Sequence, residues 1–138
     1  MTFRPLNPSE KEIVKSFLRD IFEKDFDDSF FSENNNPTVL EINGQIIGFL
    51  SYFYILDEAE LFLIAVKKEF QGLGYGKILL EHLLNKLKEH NVKVCYLEVS
   101  SKNSRAIHLY KKFGFYEYGY REKYYSNSDD AILMKKEL

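Results

Sequence analysis

Two features in the middle of the chain have residue types and spacing that could do chemistry. The first is the run Gln71-Gly72-Leu73-Gly74-Tyr75-Gly76-Lys77, which puts three of the seven glycines directly ahead of a leucine-striped helix. Gly inside a helix costs about 1 kcal/mol relative to Ala, so this density needs a compensating use. A glycine-dense turn that opens a helix offers several backbone N–H groups at one point, which is how proteins hold a phosphate. The structural alternative is a tight strand-to-helix turn. The second feature is Glu98, which closes the apolar strand of residues 92–99. Val92, Val94, Tyr96 and Glu98 share one face by alternation, so the carboxylate continues an apolar row where an unpaired charge is expensive. A carboxylate with a pKa raised by burial can serve as a general base. One that pairs with a lysine or ends its strand in water does no chemistry. The glycine run lies between two predicted strands, residues 61–66 and 92–99, so a phosphate-bearing cofactor held there would lay its reactive end beside Glu98. That arrangement suggests a group-transfer enzyme.

Other readings of these residues fit less well. The glycine run is not a Walker loop, since Gln71 stands where that motif has its first glycine and Ile78 replaces its Ser/Thr. Nor is it the dinucleotide fingerprint, because Gly72, Gly74 and Gly76 alternate and no further glycine follows at the required distance. Cys95 lies three positions from Glu98 on the same strand, so it points to the opposite sheet face and reads as a buried structural thiol. His82, His90 and His108 have no metal-ligand spacing, and no metal is expected.

The elements around these features follow from pattern. Residues 2–6 make a short strand, and Ser9 with Glu12 forms a capping box for a helix carrying Ile13, Val14, Phe17, Leu18 and Ile21. Residues 38–42 and 45–56 are strands joined by Asn43-Gly44, a strong hairpin signal. Leu79, Leu80, Leu83, Leu84 and Leu87 stripe the helix that starts near Gly74. The nearly all-apolar strand 92–99 is expected to be covered on both faces. Asn103 caps a further helix that Gly114 ends, and residues 115–125 and 131–136 finish as an antiparallel pair. The stretch 23–37, rich in Asp, Ser, Asn and Phe, reads as an irregular or partly helical excursion.

With 138 residues, 45% hydrophobic and 29% charged, the chain has the composition of one ordinary globular domain, 1–138. A formal charge of −2 leaves no basic excess for general nucleic-acid binding. The longest apolar stretch, residues 46–56, is about half of what a bilayer span needs, and the opening residues form no apolar signal region. No membrane association is therefore expected. A single cysteine allows no internal disulfide, in keeping with a cytoplasmic location.

The run from Gln71 to Gly76 resembles the Q-x-x-G-x-G pyrophosphate loop of the GNAT superfamily of N-acetyltransferases. Within it the chain looks most like the RimI-type ribosomal-protein-alanine N-acetyltransferases. Ala59-Glu60-Leu61-Phe62, Ile64-Ala65-Val66, Leu97-Glu98-Val99, Asn103, Leu109-Tyr110, Phe113-Gly114-Phe115 and Tyr124-Tyr125 carry the likeness, over roughly residues 57–134. The resemblance implies an α/β fold with a mixed, mostly antiparallel sheet of about six to seven strands, splayed between strands four and five and flanked by about four helices. It implies acetyl-coenzyme A as cosubstrate, its pyrophosphate held by main-chain N–H groups of Gly72, Leu73, Gly74, Tyr75, Gly76 and Lys77 after Gln71. The pantetheine arm would lie along Ile64, Ala65 and Val66, with a contact from the Asn103 side chain. Glu98 takes the place of the general base. Tyr110, which on its own reads as one of ten tyrosines packed on an apolar helix face, takes the place of the acid that protonates the departing thiolate.

The implied acceptor is a primary amine, namely the N-terminal α-amine of a protein such as a ribosomal protein. A small amine (polyamine, amino sugar or amino acid) is the alternative, and a non-catalytic acyl-coenzyme A-binding module a third reading. Glu23, Asp25, Asp27, Asp28 and Glu33 stand against Lys24 alone, so this acidic stretch is expected to attract a basic acceptor. Leu63 stands where the pattern usually has an asparagine, the proline-tryptophan segment of the first helical region is absent, and residues 125–130 are shortened. These departures touch the acceptor side and leave the cofactor reading intact. The exposed tyrosines Tyr116, Tyr118 and Tyr120 allow either a monomer or a weak homodimer.

Overall fold

The computed structural model describes residues 1–126 and 129–138. Among them are seven strands: β1 (Thr2–Pro5), β2 (Thr38–Ile42), β3 (Gln45–Ile55), β4 (Glu58–Val66), β5 (Val94–Ser100), β6 (Tyr116–Ser126) and β7 (Asp129–Glu137). Three α-helices accompany them: α1 (Lys11–Phe22), α2 (Tyr75–Glu89) and α3 (Ser104–Lys112). The hydrogen-bonded strand order is β1-β2-β3-β4-β5-β7-β6. β4 and β5 run parallel, whereas β1–β2, β2–β3, β5–β7 and β6–β7 run antiparallel. The described residues form two compact units, Met1–Phe53 with Phe62–Asn85 and Tyr54–Leu61 with Lys86–Leu138. β3, β4 and α2 each contribute to both.

In the first unit the β2–β3 hairpin turns at Asn43 (φ 51°) and Gly44 (φ 78°), the paired left-handed conformation that suits a two-residue hairpin. The apolar face of α1 (Val14, Phe17, Leu18) packs with Phe31, Val39, Phe49, Leu63 and Ala65. Full burial of side chains of this kind contributes about 1.5–3 kcal/mol each. The helix entry differs from the Ser9/Glu12 capping box. Pro8 opens a 3₁₀ turn (Pro8–Glu10) ahead of α1, and the Glu10 carboxylate accepts from the Asn7 N–H at 2.9 Å. Arg4 then grips both Glu10 oxygens at 2.8 Å and reaches Glu41 at 2.7 Å, tying β1 to β2 and to the helix entry.

The excursion after α1 holds no α-helix. It forms two 3₁₀ turns, Asp28–Phe31 and Glu33–Asn35, so the helix count is three rather than four. Asp27 accepts from the Ser29 N–H at 2.8 Å, and such local side-chain bonds compete with helical ones. The leucine stripe of α2 is buried as expected, Leu79, Leu80 and Leu83 completely so. Gly48 of β3 lets α2 come close, since a Cβ there would stand 3.0 Å from Leu79 Cδ1.

In the second unit β5 pairs with β7 along its whole length, from Val94↔Glu137 to Ser100↔Ala131. Its register with β4 runs from Glu58↔Val94 to Leu61↔Leu97 and ends there, although both strands continue. Cys95, Leu97 and Val99 are buried, while Val94, Tyr96, Glu98 and Ser100 are half-buried. The expectation of a strand covered on both faces is thus corrected: one face is core and the face bearing Glu98 is open. Of the shortened 125–130 stretch, residues 127 and 128 lie outside the described residues.

Candidate active site

In the first unit the glycine run joins the end of β4 to α2. The Gln71 side-chain amide donates to the Val66 carbonyl at 2.9 Å, fastening the start of the run to the strand. Gly72 (φ 79°) and Gly74 (φ 93°) are left-handed, a conformation that a Cβ disfavours. A Cβ on Gly74 would meet nothing within 4 Å, so backbone conformation requires glycine there and the main chain stays uncovered. The Gly74 carbonyl accepts the Ile78 N–H at 3.2 Å. The N–H groups of Tyr75, Gly76 and Lys77 consequently fall in the first turn of α2, where a helix supplies no acceptor of its own and its dipole favours an anion. This donor set fits a diphosphate. In the strand leading to it, Ala65 is buried and Ile64 and Val66 are half-buried.

In the second unit Asn103 caps α3, its Oδ1 accepting from the Ala106 N–H at 3.2 Å. The helix ends in a Schellman arrangement. Gly114 (φ 92°) donates to the Lys111 carbonyl, and Phe115 donates to the Tyr110 carbonyl at 3.0 Å. That turn brings the Phe115 ring to 5.7 Å from the Tyr110 ring and fixes Tyr110 in place. Tyr110 is only 6% exposed, and burial is the first cause that holds its phenol well above the usual tyrosine range. Its hydroxyl makes no hydrogen bond among the described residues, and no buried side-chain oxygen there lacks a partner.

Glu98 is ion-paired with Arg121 of β6, Oε1 to Nη2 at 3.3 Å. Arg121 also lies over the Tyr124 ring at 5.1 Å. Tyr125 connects the two candidate catalytic side chains electrostatically. Desolvation and then the Glu98 charge push its phenol up to about 12, and its own charge is among the causes that raise Tyr110. Cys95 is fully buried, with a thiol pushed up to about 12 by desolvation, and its face of β5 is the one opposite Glu98.

Sequence reasoning did not find Glu60 and Arg121. Glu60 shares the open face with Glu98, because Glu60↔Tyr96 is a register pair and Glu98 is two residues beyond Tyr96. Desolvation first, and the Glu98 charge second, raise the Glu60 carboxyl above the ordinary range. The signal for Glu60 was present in the Glu58-Ala59-Glu60-Leu61 alternation. Arg121 had none, since its place depends on the β6–β7–β5 registers.

Two acids of the 23–33 stretch have cations of α1 as partners. Asp28 pairs with Lys15 at 2.5 Å and Lys11 at 3.3 Å, and Asp25 pairs with Arg19 at 2.6 Å, so α1 supplies cations that local composition did not show. Leu63 points into the first unit's core rather than to the open face. His82 stacks on Phe3 and His90 on Tyr54. Among the described residues no group of three or more His, Cys, Asp or Glu side chains is placed to hold a metal ion, and no helix is long and apolar enough to cross a membrane.

A sequence model of the acetyltransferase (GNAT) family matches residues 5–115. The chain belongs to this family. Its similarity to the [ribosomal protein bS18]-alanine N-acetyltransferase of Escherichia coli K12 is 43% identity over 95 residues, covering 67% of this chain and 64% of that protein. The protein of the same name from Haemophilus influenzae is 49% identical over 96 residues, covering 67% and 65%. The aligned part thus spans just under two thirds of these curated relatives. Among solved structures, the ribosomal-protein-S18-alanine N-acetyltransferase of Escherichia coli superposes with a TM-score of 0.90 at 31% identity, covering 99% of this chain and 92% of that one. The GNAT fold accounts for the parallel β4–β5 pair within an otherwise antiparallel set of strands.

Proposed function

We infer that this GNAT chain, acting as one catalytic domain, is a cytoplasmic N-acetyltransferase that moves an acetyl group from acetyl-coenzyme A to the N-terminal α-amine of a protein such as a ribosomal protein. The observation that carries the donor half is the uncovered, left-handed Gly72/Gly74 backbone opening onto the free N–H groups of the first turn of α2. The acceptor half is supported by the relatives named for ribosomal-protein-alanine acetylation.

The N–H groups from Gly72 to Lys77 hold the diphosphate. Ile64, Ala65 and Val66 offer strand backbone along which the pantetheine arm pairs like an added edge strand. The Asn103 side chain, already a helix cap, is an additional contact. Bound there, acetyl-coenzyme A supplies the activated acyl group. Glu98 accepts the proton that the amine loses as the new C–N bond forms, directly or through water. Tyr110 donates to the leaving sulfur as the C–S bond breaks, and its raised pKa keeps it protonated at neutral pH.

The test offers labelled acetyl-coenzyme A with a panel of peptides and small amines, to the wild type and to Glu98→Gln. Label is expected on peptides with a free α-amine and not on α-blocked ones. Glu98→Gln is expected to lower kcat about 10²-fold while the Kd for acetyl-coenzyme A stays within about threefold. Unchanged turnover removes Glu98 from the mechanism, and labelling confined to small amines overturns the acceptor.

A further inference from the structure

Glu98 already has a cation, the Arg121 guanidinium at 3.3 Å. Glu60, its neighbour on the same open face of β4 and β5, makes no ion pair or side-chain hydrogen bond among the described residues, and the Arg121 charge reaches it only at longer range, opposing the rise of its pKa. Aromatic rings flank the two carboxylates. Tyr96 stands between them in the register and meets Tyr118 edge to face at 5.9 Å. Tyr118 in turn accepts a cation over its ring, with Lys135 Nζ at 5.4 Å. A carboxylate with no ion pair of its own beside electron-rich rings is chemistry that receives an ammonium or guanidinium. In the acidic stretch after α1, by contrast, Asp25 and Asp28 have ion pairs of their own with Arg19, Lys11 and Lys15.

We propose that Glu60 is a specificity-determining residue that binds a second positive charge on the acceptor, a Lys or Arg side chain close behind the reacting amine. This rests on the reading of Glu98 as the group that faces that amine. The spacing supports it. Adjacent strands are about 4.8 Å apart and two residues along a strand add about 6.6 Å, which puts the Glu60 and Glu98 backbones roughly 8 Å apart. An extended acceptor advances at most about 3.6 Å per residue, so a long basic side chain at its second or third residue spans that interval.

The test compares wild type with Glu60→Gln on two peptides that differ only in Lys or norleucine at positions two and three. Glu60→Gln is expected to raise KM for the Lys peptide about fivefold to tenfold, with kcat and the norleucine peptide within about twofold. Added salt raises KM for the Lys peptide in the wild type and has little effect in the variant. Equal losses on both peptides, or no loss on either, overturn the proposal. Should the wild type acetylate neither peptide, the acceptor reading itself fails. Calorimetry of the same peptides then decides the role of Glu60: about fivefold tighter binding of the Lys peptide to wild type than to Glu60→Gln sustains it, and equal binding refutes it. A thermal melt of Glu60→Gln no lower than that of wild type shows that folding is not the cause.

Discussion

Replacing Tyr110 by Phe removes one oxygen atom and leaves a ring that is 94% covered and packed 5.7 Å from Phe115. That oxygen makes no hydrogen bond among the described residues, so no buried partner is orphaned. Stability should change by less than about 0.5 kcal/mol. Catalysis should not be spared. General acids contribute about 10²–10⁴, and the structure points to the lower end of that range. A thiol ordinarily titrates near 8.5 and a phenol near 10, and burial raises Tyr110 further. Handing its proton to a thiolate is then uphill by more than about 1.5 units, or about 2 kcal/mol, which limits what the acid can supply. The expected loss in kcat for Tyr110→Phe is therefore about 10²-fold, equivalent to about 2.7 kcal/mol, with KM for the acetyl donor nearly unchanged. Because the raised pKa keeps the competent, protonated form in place, the alkaline limb of the wild-type kcat profile should lie above about 10 and vanish in the variant. Steady-state kinetics across pH, with a thermal melt of each protein, makes the measurement. A kcat within threefold of wild type, or a large loss accompanied by a lowered melting temperature, would refute the assignment.

Three further outcomes follow from the geometry. Cys95, fully buried with its thiol pushed up to about 12, should react with an alkylating reagent at neutral pH only as fast as the protein unfolds; rapid native-state labelling would contradict its burial. Gly48→Ala sets a Cβ 3.0 Å from Leu79 Cδ1 and 3.4 Å from the Ala65 oxygen, and should lower the free energy of unfolding in denaturant titrations by about 1–3 kcal/mol. The free protein should also lose stability through Glu60. Above the ordinary carboxylate pKa the unfolded chain has released this proton while the folded chain still holds it, so stability falls as pH rises through that window, and Glu60→Gln should show a smaller fall in melts taken between pH 4 and 7.

Much of the fold was legible because local chemistry and tertiary demand agree. Asn43-Gly44 specifies its hairpin without outside help, Asn103 and Gly114 bracket α3, and the leucines of α2 announce the buried face. The glycine run was legible for the same reason, since two left-handed residues before a helix leave few alternatives to glycine. The excursion after α1 was legible as partly helical, and its two 3₁₀ turns are held by side-chain bonds from Asp27 and by cations of α1. What failed depended on partners distant in sequence. The open face of β5 could not be foreseen from a nearly all-apolar strand, and the pairing of Glu98 with Arg121 crosses from β5 to β6.

The two faces of β5 separate core packing from the candidate site, and the period of two along the strand makes that possible. Cys95, Leu97 and Val99 fill the core on one side, and the carboxylate of Glu98 emerges on the other among Tyr96, Tyr118 and Arg121. Moving Glu98 by one position would bury it unpaired, at a cost of several kcal/mol. Glu60 obeys the same geometry on β4, where Ala59 and Leu61 are buried on either side of it. If stability alone had shaped this face, a residue opposite Tyr96 and next to Glu98 would be neutral or basic, because desolvation and the Glu98 charge together outweigh the Arg121 charge on a second carboxylate there. A side chain that disfavours the folded state where a neutral one would fit is a reasonable place to look for a ligand, and its position on the face of Glu98 says which ligand to try first.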